Sequence, residues 1–584
     1  MIASIRGRIR PTNIDGVLDR IIPIIDKSNI APTLTGWAQP KSAAGAPRKY
    51  GSYTVRGVLI VMFQIAYAER PMSVAELFKT IWFDYNDAQL AKIGMGDLRT
   101  PQRIHAIATN ERAERAEYQR LWDFIKTMFA PIDDTPMPAN RRHTKDEAKT
   151  ARAAASLNLK DQTDRRRTLV NDLIAATIDP TILDGWRGDI AIDEHVVNTA
   201  TNSYQYFADT SRSKHGGAPM ASWYPKQNRV GKGWHVGLTR IISTSRPYEN
   251  RVPTLCLAID VQQATAGNVA AALNCIDAMT ERNLRPNKGH KDRQYLVTDM
   301  GYSRSTGFNV NALKRGYTLL MNLPKNERHF RDLGPAADPT GNDSGPYLFK
   351  SAILCPGAHR LTQQTILNPP GDDADLATLR AFAKQEAAIA ARTMPLNGHP
   401  KIEVLRPAGR PKAGAAPAPT VIKLQVQCPA AAGKIRCPLL GQDHYTDPTK
   451  QHLPEIGTDA PFDHPPKVCR SQYTTLTLTP EQYRQYQPLM AGSWEHADWM
   501  ASNRSRDEGF NAYLTRSEGG HLQDRSVYAR RNPNITITIA LGVATANLKA
   551  QGAWHAAIRR NNGQIPKEAR AHIKARRDNL LAAA

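Results

Sequence analysis

The stretch QYLVTDMGY at residues 294–302 decides how this chain is expected to fold. Its apolar residues have the length of a buried strand, and Asp299 follows directly, with a glycine two residues later. This predicts that Asp299 lies at the carboxyl end of a strand, where α/β sheets bind ligands. A second run of this kind, DIAIDEHVV at 189–197, carries Asp193 inside a predicted strand.

The segments around these two aspartates predict an α/β sheet. GWHVGLTRIIST (233–244), TLCLAIDVQQ (254–263) and TLLMNL (318–323) are short runs rich in β-branched and apolar residues, as strands are. An Ala-rich helix is predicted over 267–280, between the third and fourth of these strands. Alternation of strands with a helix favours an α/β core over residues 186–323.

The close approach of two carboxylates on neighbouring strands has an electrostatic cost. Two unpaired carboxylates at short range repel each other unless a cation or a shared proton neutralises them. A further acidic pair, Asp507 and Glu508, lies in the predicted helix RSRDEGFNAYLTR (504–516). Hard oxygen ligands suit Mg²⁺ or Mn²⁺, and three carboxylates can hold two such ions for phosphodiester chemistry.

The regions outside the core have distinct patterns. Residues 1–185 are predicted to form a helical region that is a candidate for DNA binding, with helices at 104–128 and 141–176. The second of these helices is rich in Lys and Arg. These side chains could follow a phosphate backbone or form a solvated face of the helix. Near Arg70-Pro71 a helix pair resembles a helix-turn-helix, although most such pairs are packed bundle helices. A helix is predicted from Thr54, and Ser73 and Glu76 form a capping-box signature for the next.

Residues 324–490 are predicted to be a β-rich insertion with a Pro/Ala-rich linker. Residues 491–560 return to the core, and 561–584 form a basic C-terminal helix. Cys428 and Cys437, with Cys469 and either Cys355 or His444, raise the question of a zinc site in the insertion. The closest pair is nine residues apart, whereas structural zinc ligands are usually paired two to four residues apart, so the spacing does not favour zinc.

The charge balance predicts a polyanionic partner. The 584 residues include 77 Lys and Arg against 54 Asp and Glu, a formal net charge of +23. Nucleic acid is the commonest such partner, and an anionic membrane surface is the alternative. No apolar run is long enough to cross a bilayer, and the first residues lack the apolar segment of a secretory signal. The expected location is therefore the cytoplasm.

Four of these segments together resemble the bacterial insertion-sequence transposases of the DDE class, whose catalytic core is RNase H-like. IAIDEHVVNTA (190–200) is similar to their first-aspartate strand and TDMGYSR (298–304) to their second. RSRDEGFNAYLTR is similar to the helix that carries the final glutamate, with Arg504 four residues before Glu508. LGVATANLKA (541–550) resembles the apolar helix that follows. The 48–95 helices also resemble the domain that often precedes such cores.

The resemblance implies a fold, a reaction and a set of site residues. The fold is α/β, with an RNase H-like core, a helical N-terminal domain and a β-rich insertion before the last catalytic helix. Asp193, Asp299 and Glu508 would hold two Mg²⁺ or Mn²⁺ ions for hydrolytic nicking at element ends and strand transfer into target DNA. The partner would be double-stranded DNA, bound by a homodimer in the bacterial nucleoid.

Four further residues are predicted to contact DNA. Arg504 and Arg516 would bind phosphates through their forked donors. Trp499 could stack on an unpaired base and Tyr302 could touch a phosphate, although core packing is the alternative for both.

Several features depart from the family pattern and leave alternatives open. Glu194 follows Asp193 where a small residue is more common, Thr515 stands where a basic residue is expected, and Asp507 could replace Glu508 as the third ligand. Propensity favours a strand for NITITIAL (534–541), where the resemblance implies a helix. The alternatives to a transposase are a catalytically inactive or domesticated DNA-binding derivative and a metal-dependent nuclease of the same fold.

Overall fold

The computed structural model describes residues 13–565 with gaps. The segments outside the description are 39–51, 136–143, 200–217, 226–231, 286–292, 334–345, 362–369, 406–417, 441–444, 457–468 and 523–526, with positions 248, 250, 265–266, 303–304, 306, 329–330, 359–360, 372, 470, 517 and 528. The Pro/Ala-rich linker, His444 and the predicted C-terminal helix therefore lie wholly or largely outside the described residues. No helix among those described is long and apolar enough to cross a membrane.

The region before residue 186 is helical, as predicted. Its helices are α1 (Ile14–Ser28), α2 (Ile30–Ala38), α3 (Val55–Tyr67), α4 (Val74–Lys79), α5 (Asp87–Lys92), α6 (Pro101–Thr109), α7 (Glu111–Phe129), α8 (Lys145–Ala154) and α9 (Ser156–Ala176). The Ser73 hydroxyl accepts a hydrogen bond from the Glu76 N–H and begins α4, which confirms the predicted helix start. Residues 57–66 of α3 are all buried, because apolar side chains surround that helix. In the pair α3 and α4, α3 is thus a packed bundle helix.

The core contains a mixed sheet with strands of both directions. Its strands are β1 (Ile190–Asn198), β2 (Ser222–Pro225), β3 (Lys232–Ser243), β4 (Cys256–Gln263), β5 (Gln294–Thr298) and β6 (Tyr317–Met321). Their order is β4-β3-β1-β5-β6, with β2 pairing the amino end of β3. The pairs β1–β3 and β3–β4 are antiparallel, and β1–β5 and β5–β6 are parallel.

Helices cover both faces of this sheet. One face packs against α10 (Asn268–Glu281) and α11 (Phe308–Lys314), which follow β4 and β5 in the chain. The other packs against α14 (Trp494–Thr515) and α15 (Asn532–Arg560), whose apolar residues continue into the core of the N-terminal helices. The predicted strands and the 267–280 helix are confirmed, and the molecule is a mixed α/β protein.

The segment NITITIAL forms part of α15, which confirms the helix that the resemblance implied. β-branched residues favour strands, but every residue from Ile535 to Leu541 is buried, and this packing outweighs local propensity. Asn547 fixes the helix to the sheet. Its side chain donates to the Cys256 carbonyl at 2.8 Å and accepts from the Cys256 N–H at 2.8 Å.

The described residues of the insertion between β6 and α14 form two small sheets and two α-helices. One sheet contains β7 (Arg331–Asp332), β8 (Tyr347–Phe349) and β9 (Ala352–Leu354), and the other β10 (Lys401–Val404), β11 (Thr420–Gln427) and β12 (Tyr473–Leu478). The helices are α12 (Leu376–Ala391) and the short α13 (Pro480–Arg484). Six strands among the described residues agree with the predicted β-rich insertion, whereas α12 was not predicted. Gln487 joins the insertion to the core, since its amide bonds both the N–H and the carbonyl of Met321 at 2.8 Å.

Candidate functional site

The carboxylates of Asp193 and Asp299 lie on adjacent strands at one edge of the sheet. The parallel register pairs Ala191 with Val297, so two further residues along each strand bring position 193 beside position 299. Asp299 follows the last residue of β5, and its Oδ1 accepts a hydrogen bond from the Gly301 N–H at 2.8 Å. This turn holds the carboxylate at the end of the strand. A Cβ on Gly301 would lie 3.0 Å from that oxygen, so the close turn favours glycine there.

The two aspartates interact electrostatically. The pKa of Asp299 is raised, first because neighbouring atoms displace part of the water around its exposed carboxyl group, and second because Asp193 is negatively charged. Backbone hydrogen bonds from Gly301 and Tyr302, and the charge of Arg504, oppose this rise. A pair of this kind is relieved by a cation, so its chemistry fits a divalent metal.

Helix α14 lies across the sheet at Asp193. Asn511 donates to Asp193 Oδ2 at 3.3 Å, and Asp507 lies one turn earlier on the same side of the helix. Asp507 binds the guanidinium of Arg240 at 2.6 Å, and Arg240 also lies 3.8 Å from Asp193. Burial and the Asp193 carboxylate raise the pKa of Asp507 to about 7, while Arg240 opposes the rise.

Arg240 is the site residue that the sequence reasoning missed. It is in the middle of β3, opposite Asp193 in the antiparallel register, and its side chain is completely buried. Its Nε and Nη1 have no hydrogen-bond partner among the described residues. A single arginine within the apolar run of a central strand was the available signal, because a buried charge requires a buried partner.

Glu508, the residue after Asp507, lies on the outer, solvent-exposed side of α14. Its Oε1 accepts from Arg504 Nε at 2.6 Å, and both side chains are well exposed, at 62% and 69%. The charges of Asp193 and Asp299 raise the pKa of Arg504, after the larger contribution of Glu508. Arg504 therefore interacts electrostatically both with Glu508 on the outer side of α14 and with the two aspartates at the sheet edge.

The structure brings Asp193, Asp299 and the Asp507–Glu508 turn of α14 to one side of the sheet. Among the described residues, no three Asp, Glu, His or Cys side chains are arranged to hold a metal ion as they stand. Glu508 is turned toward Arg504, and Asp507 is turned toward Arg240. A three-carboxylate site therefore requires a side-chain rotation on α14, and the exposed Glu508 is the freer of the two.

The neighbouring acid Glu194 does not share the environment of Asp193. Consecutive strand residues face opposite sides of a sheet, and Glu194 lies over Gly237, where an added Cβ would come within 2.3 Å of its Oε1. Glycine at position 237 thus leaves space for this carboxylate on the α10 side.

Two of the predicted DNA contacts are corrected by burial. Tyr302 is 4% exposed and packs against Phe308, with ring centroids 5.1 Å apart. Trp499 is 8% exposed and makes an edge contact with Tyr295 at 4.9 Å. Both rings are packing residues, because the apolar layers on either side of the sheet enclose them. Arg504 and Arg516 are exposed, as phosphate contacts would require.

Comparison with known proteins does not assign this chain to a family. The chain matches no protein-family model and no curated protein sequence.

Proposed function

We propose that this chain is a DDE-class DNA transposase, in which Asp193, Asp299 and Glu508 carry metal-dependent phosphoryl transfer. The observation that carries the proposal is the pair of adjacent carboxylates at the sheet edge, with the acidic turn of α14 lying over one of them. These carboxylates come from segments more than one hundred residues apart. Their convergence is a property of the fold and not of a local motif.

The sheet supports an RNase H-like core as part of this proposal. Three antiparallel strands, β1, β3 and β4, are followed by the parallel strands β5 and β6, and the first acidic residue lies within the central strand. The insertion separates β6 from the helix with the third carboxylate, as the resemblance implies. Fold alone does not specify function, so the weight rests on the carboxylates.

Asp193, Asp299 and Glu508 would hold Mg²⁺ or Mn²⁺ through oxygen ligands alone. When bound, two such ions activate a water or a 3′-hydroxyl and stabilise the leaving oxygen. The chain's own residues position this chemistry. Arg240 neutralises Asp507 and holds α14 against β1, while Arg504 and Arg516 present exposed cations that would bind the flanking phosphates.

Asp507 is the less suitable third ligand. Its charge is already balanced by a buried guanidinium at 2.6 Å, and removing it from that partner would leave the buried Arg240 with only its longer contact of 3.8 Å to Asp193. Among the described residues Glu508 pairs with the exposed Arg504, and exposed ion pairs contribute about 0–1 kcal/mol. Rotation of Glu508 toward Asp193 and Asp299 therefore costs little.

A cleavage assay tests the proposal. Purified protein is incubated with Mg²⁺ or Mn²⁺ and a duplex carrying any inverted repeats found in the DNA on either side of the reading frame. We expect nicks at the repeat ends and joined products with target DNA, both abolished by EDTA and by Asp299→Ala. Undiminished nicking by Asp299→Ala would end this assignment.

The products also separate the alternatives. Nicks without joined products indicate a nuclease of the same fold, and binding of the repeats without nicks indicates an inactive derivative. The partner in each case is double-stranded DNA in the bacterial nucleoid, and we propose that a homodimer holds the two element ends.

A further inference from the structure

Four of the six cysteines meet in the insertion. Cys355, Cys428, Cys437 and Cys469 line one cavity of about 20 Å³. The rest of the lining is apolar or backbone: Gly357, Pro429, Ile435, Leu439, Leu440 and Ile456. All four thiols are free, as are Cys256 and Cys275 in the core. These cysteines are up to 114 residues apart in the chain, so their convergence is a tertiary feature.

Three of the four cysteines stand directly before a proline. Short 3₁₀ turns, Pro356–Ala358 and Pro438–Leu440, begin after Cys355 and Cys437. The backbone of Gly357 hydrogen-bonds the Cys355 sulphur, and the backbones of Leu439 and Leu440 hydrogen-bond the Cys437 sulphur. Burial raises the pKa of both thiols, and these backbone hydrogen bonds oppose the rise. The thiolate is the form that binds metals, and a bound cation favours it.

The cluster lies where the two small sheets of the insertion end. Cys355 follows β9, Cys428 follows β11, and Cys469 lies shortly before β12. The β7–β8–β9 sheet is small, with strands of only two or three residues. Sheets of this size are marginal alone, and a cross-link between them would stabilise the insertion.

We propose that these four cysteines bind one structural zinc ion. A set of four sulphur ligands without an open position is the composition of structural zinc sites. Soft thiolates favour zinc over Mg²⁺, so this site would not compete for the ions of the carboxylate site. The cavity that the four cysteines line is small, at about 20 Å³, as a site for a single ion requires. The inference does not rest on the proposed function.

The sulphur atoms do not yet surround a common point, since no group of three such ligands among the described residues is arranged to hold a metal as it stands. The proposal therefore includes rotation of the cysteine side chains toward the cavity on binding. It also explains why ligand spacing gave no zinc signal. The ligands come from four separate turns, whereas the spacing rule describes two closely paired turns.

Elemental analysis of the full-length chain, purified without chelators, tests the proposal. We expect one zinc per chain, released by a mercurial that blocks thiols. Replacement of zinc by Co²⁺ should give the absorption bands of tetrahedral thiolate coordination. Cys437→Ser should lose the zinc, and the matched core variant Cys275→Ala should retain it.

Two results would overturn the proposal. One is full-length protein that contains no zinc and gains no thiolate–cobalt spectrum when Co²⁺ is added. The other is a disulfide among these four cysteines, detected by mass spectrometry after alkylation without reduction. If Cys437→Ser fails to fold, the cobalt spectrum of the unsubstituted chain still decides. Neither result bears on DNA cleavage, which Asp299→Ala tests separately.

Discussion

The inner and outer faces of α14 carry two ion pairs of equal length in opposite surroundings. On the inner face Arg240 binds Asp507 at 2.6 Å, with side chains 0% and 12% exposed. On the outer face Arg504 binds Glu508 at 2.6 Å, with side chains 69% and 62% exposed. Distance alone would rank the two pairs as equal. Burial makes the inner pair a fixed part of the structure and leaves the outer pair free to exchange partners.

The comparison assigns different roles to two neighbouring carboxylates. Asp507 holds the helix on the sheet because its partner is a buried arginine in β3. Under the proposed function Glu508 is the carboxylate available for chemistry, because its partner is a surface arginine that is also within electrostatic range of Asp193 and Asp299. Substitutions on α14 and β3 can test the structural role of Asp507 and the catalytic role proposed for Glu508 separately.

The largest expected effect is on cleavage by Glu508→Gln. We expect a loss on the order of 10⁴-fold in the cleavage rate, as for removal of one member of a catalytic unit. Asp507→Asn is the matched variant, since it removes the neighbouring charge and keeps an oxygen that can accept from Arg240. It should retain most activity. A single-turnover nicking assay measures both, and the reverse ranking would make Asp507 the third ligand.

The next largest effect is expected for Arg240→Met, which should lower the free energy of unfolding. Removing one partner of a buried pair leaves Asp507 buried without its cation, which costs about 3–5 kcal/mol in the free energy of unfolding. Arg504→Met on the outer face should change it by about 0.5 kcal/mol or less. Urea unfolding followed by tryptophan fluorescence gives both values.

A double variant separates lost charge balance from lost packing. Arg240→Met combined with Asp507→Leu removes both buried charges and should recover most of the stability that Arg240→Met loses. If the double variant is no more stable than the single one, the inner pair does not act as a coupled unit.

The inner face should also make the protein sensitive to acid through His496. Burial lowers the pKa of this histidine to about 4, and its Nε2 lies 3.0 Å from the Met321 carbonyl. At His496 the unfolded chain then binds more protons than the folded chain between pH 6.5 and 4, so the stability that this group contributes falls as the pH falls through this window. A shift of this size corresponds to about 3 kcal/mol. Asp507, whose pKa is raised to about 7, acts in the opposite direction.

His496→Gln should lose less stability between pH 7 and 4 than the unsubstituted chain, because glutamine can donate to Met321 and does not titrate. His105→Gln, at an exposed position of α6, is the control and should leave the slope unchanged. The readout is the urea midpoint between pH 4 and 7. An unchanged slope in His496→Gln would show that the histidine is not the acid-sensitive group.

Much of the core could be predicted from the sequence because its signals are local. The strands β1, β3, β4, β5 and β6 and the helices α9 and α10 follow from runs of apolar and β-branched residues and from helical periodicity. Local signals placed Asp299 at the end of one strand and Asp193 within another, whereas the meeting of these two carboxylates was implied by the family resemblance. The helix at 534–541 required the family resemblance, since local propensity favours a strand there.

What could not be predicted depends on contacts between distant segments. The partner of Arg240 lies 267 residues later, on a helix whose rotation decides whether Asp507 or Glu508 faces the sheet. Periodicity on α14 does not fix that rotation, because the helix is polar on several sides. The burial of Tyr302 and Trp499 and the meeting of the four cysteines are likewise set by packing between segments.

The smallest expected effect is that of Arg516→Ala at the outer end of α14. This exposed arginine ends the helix, and its replacement should leave the free energy of unfolding within about 0.5 kcal/mol of the unsubstituted chain. If it contacts a phosphate, the slope of log K against log salt for binding of the inverted repeats should fall by about 1. Lys401→Ala, at an exposed position of β10 in the insertion, is the matched control for loss of one surface cation. Equal slopes for the two variants would mean that the outer face of α14 attracts DNA only through the net charge of the protein. The proposed division of α14 into a structural inner face and a DNA-facing outer face would then rest on Glu508 alone.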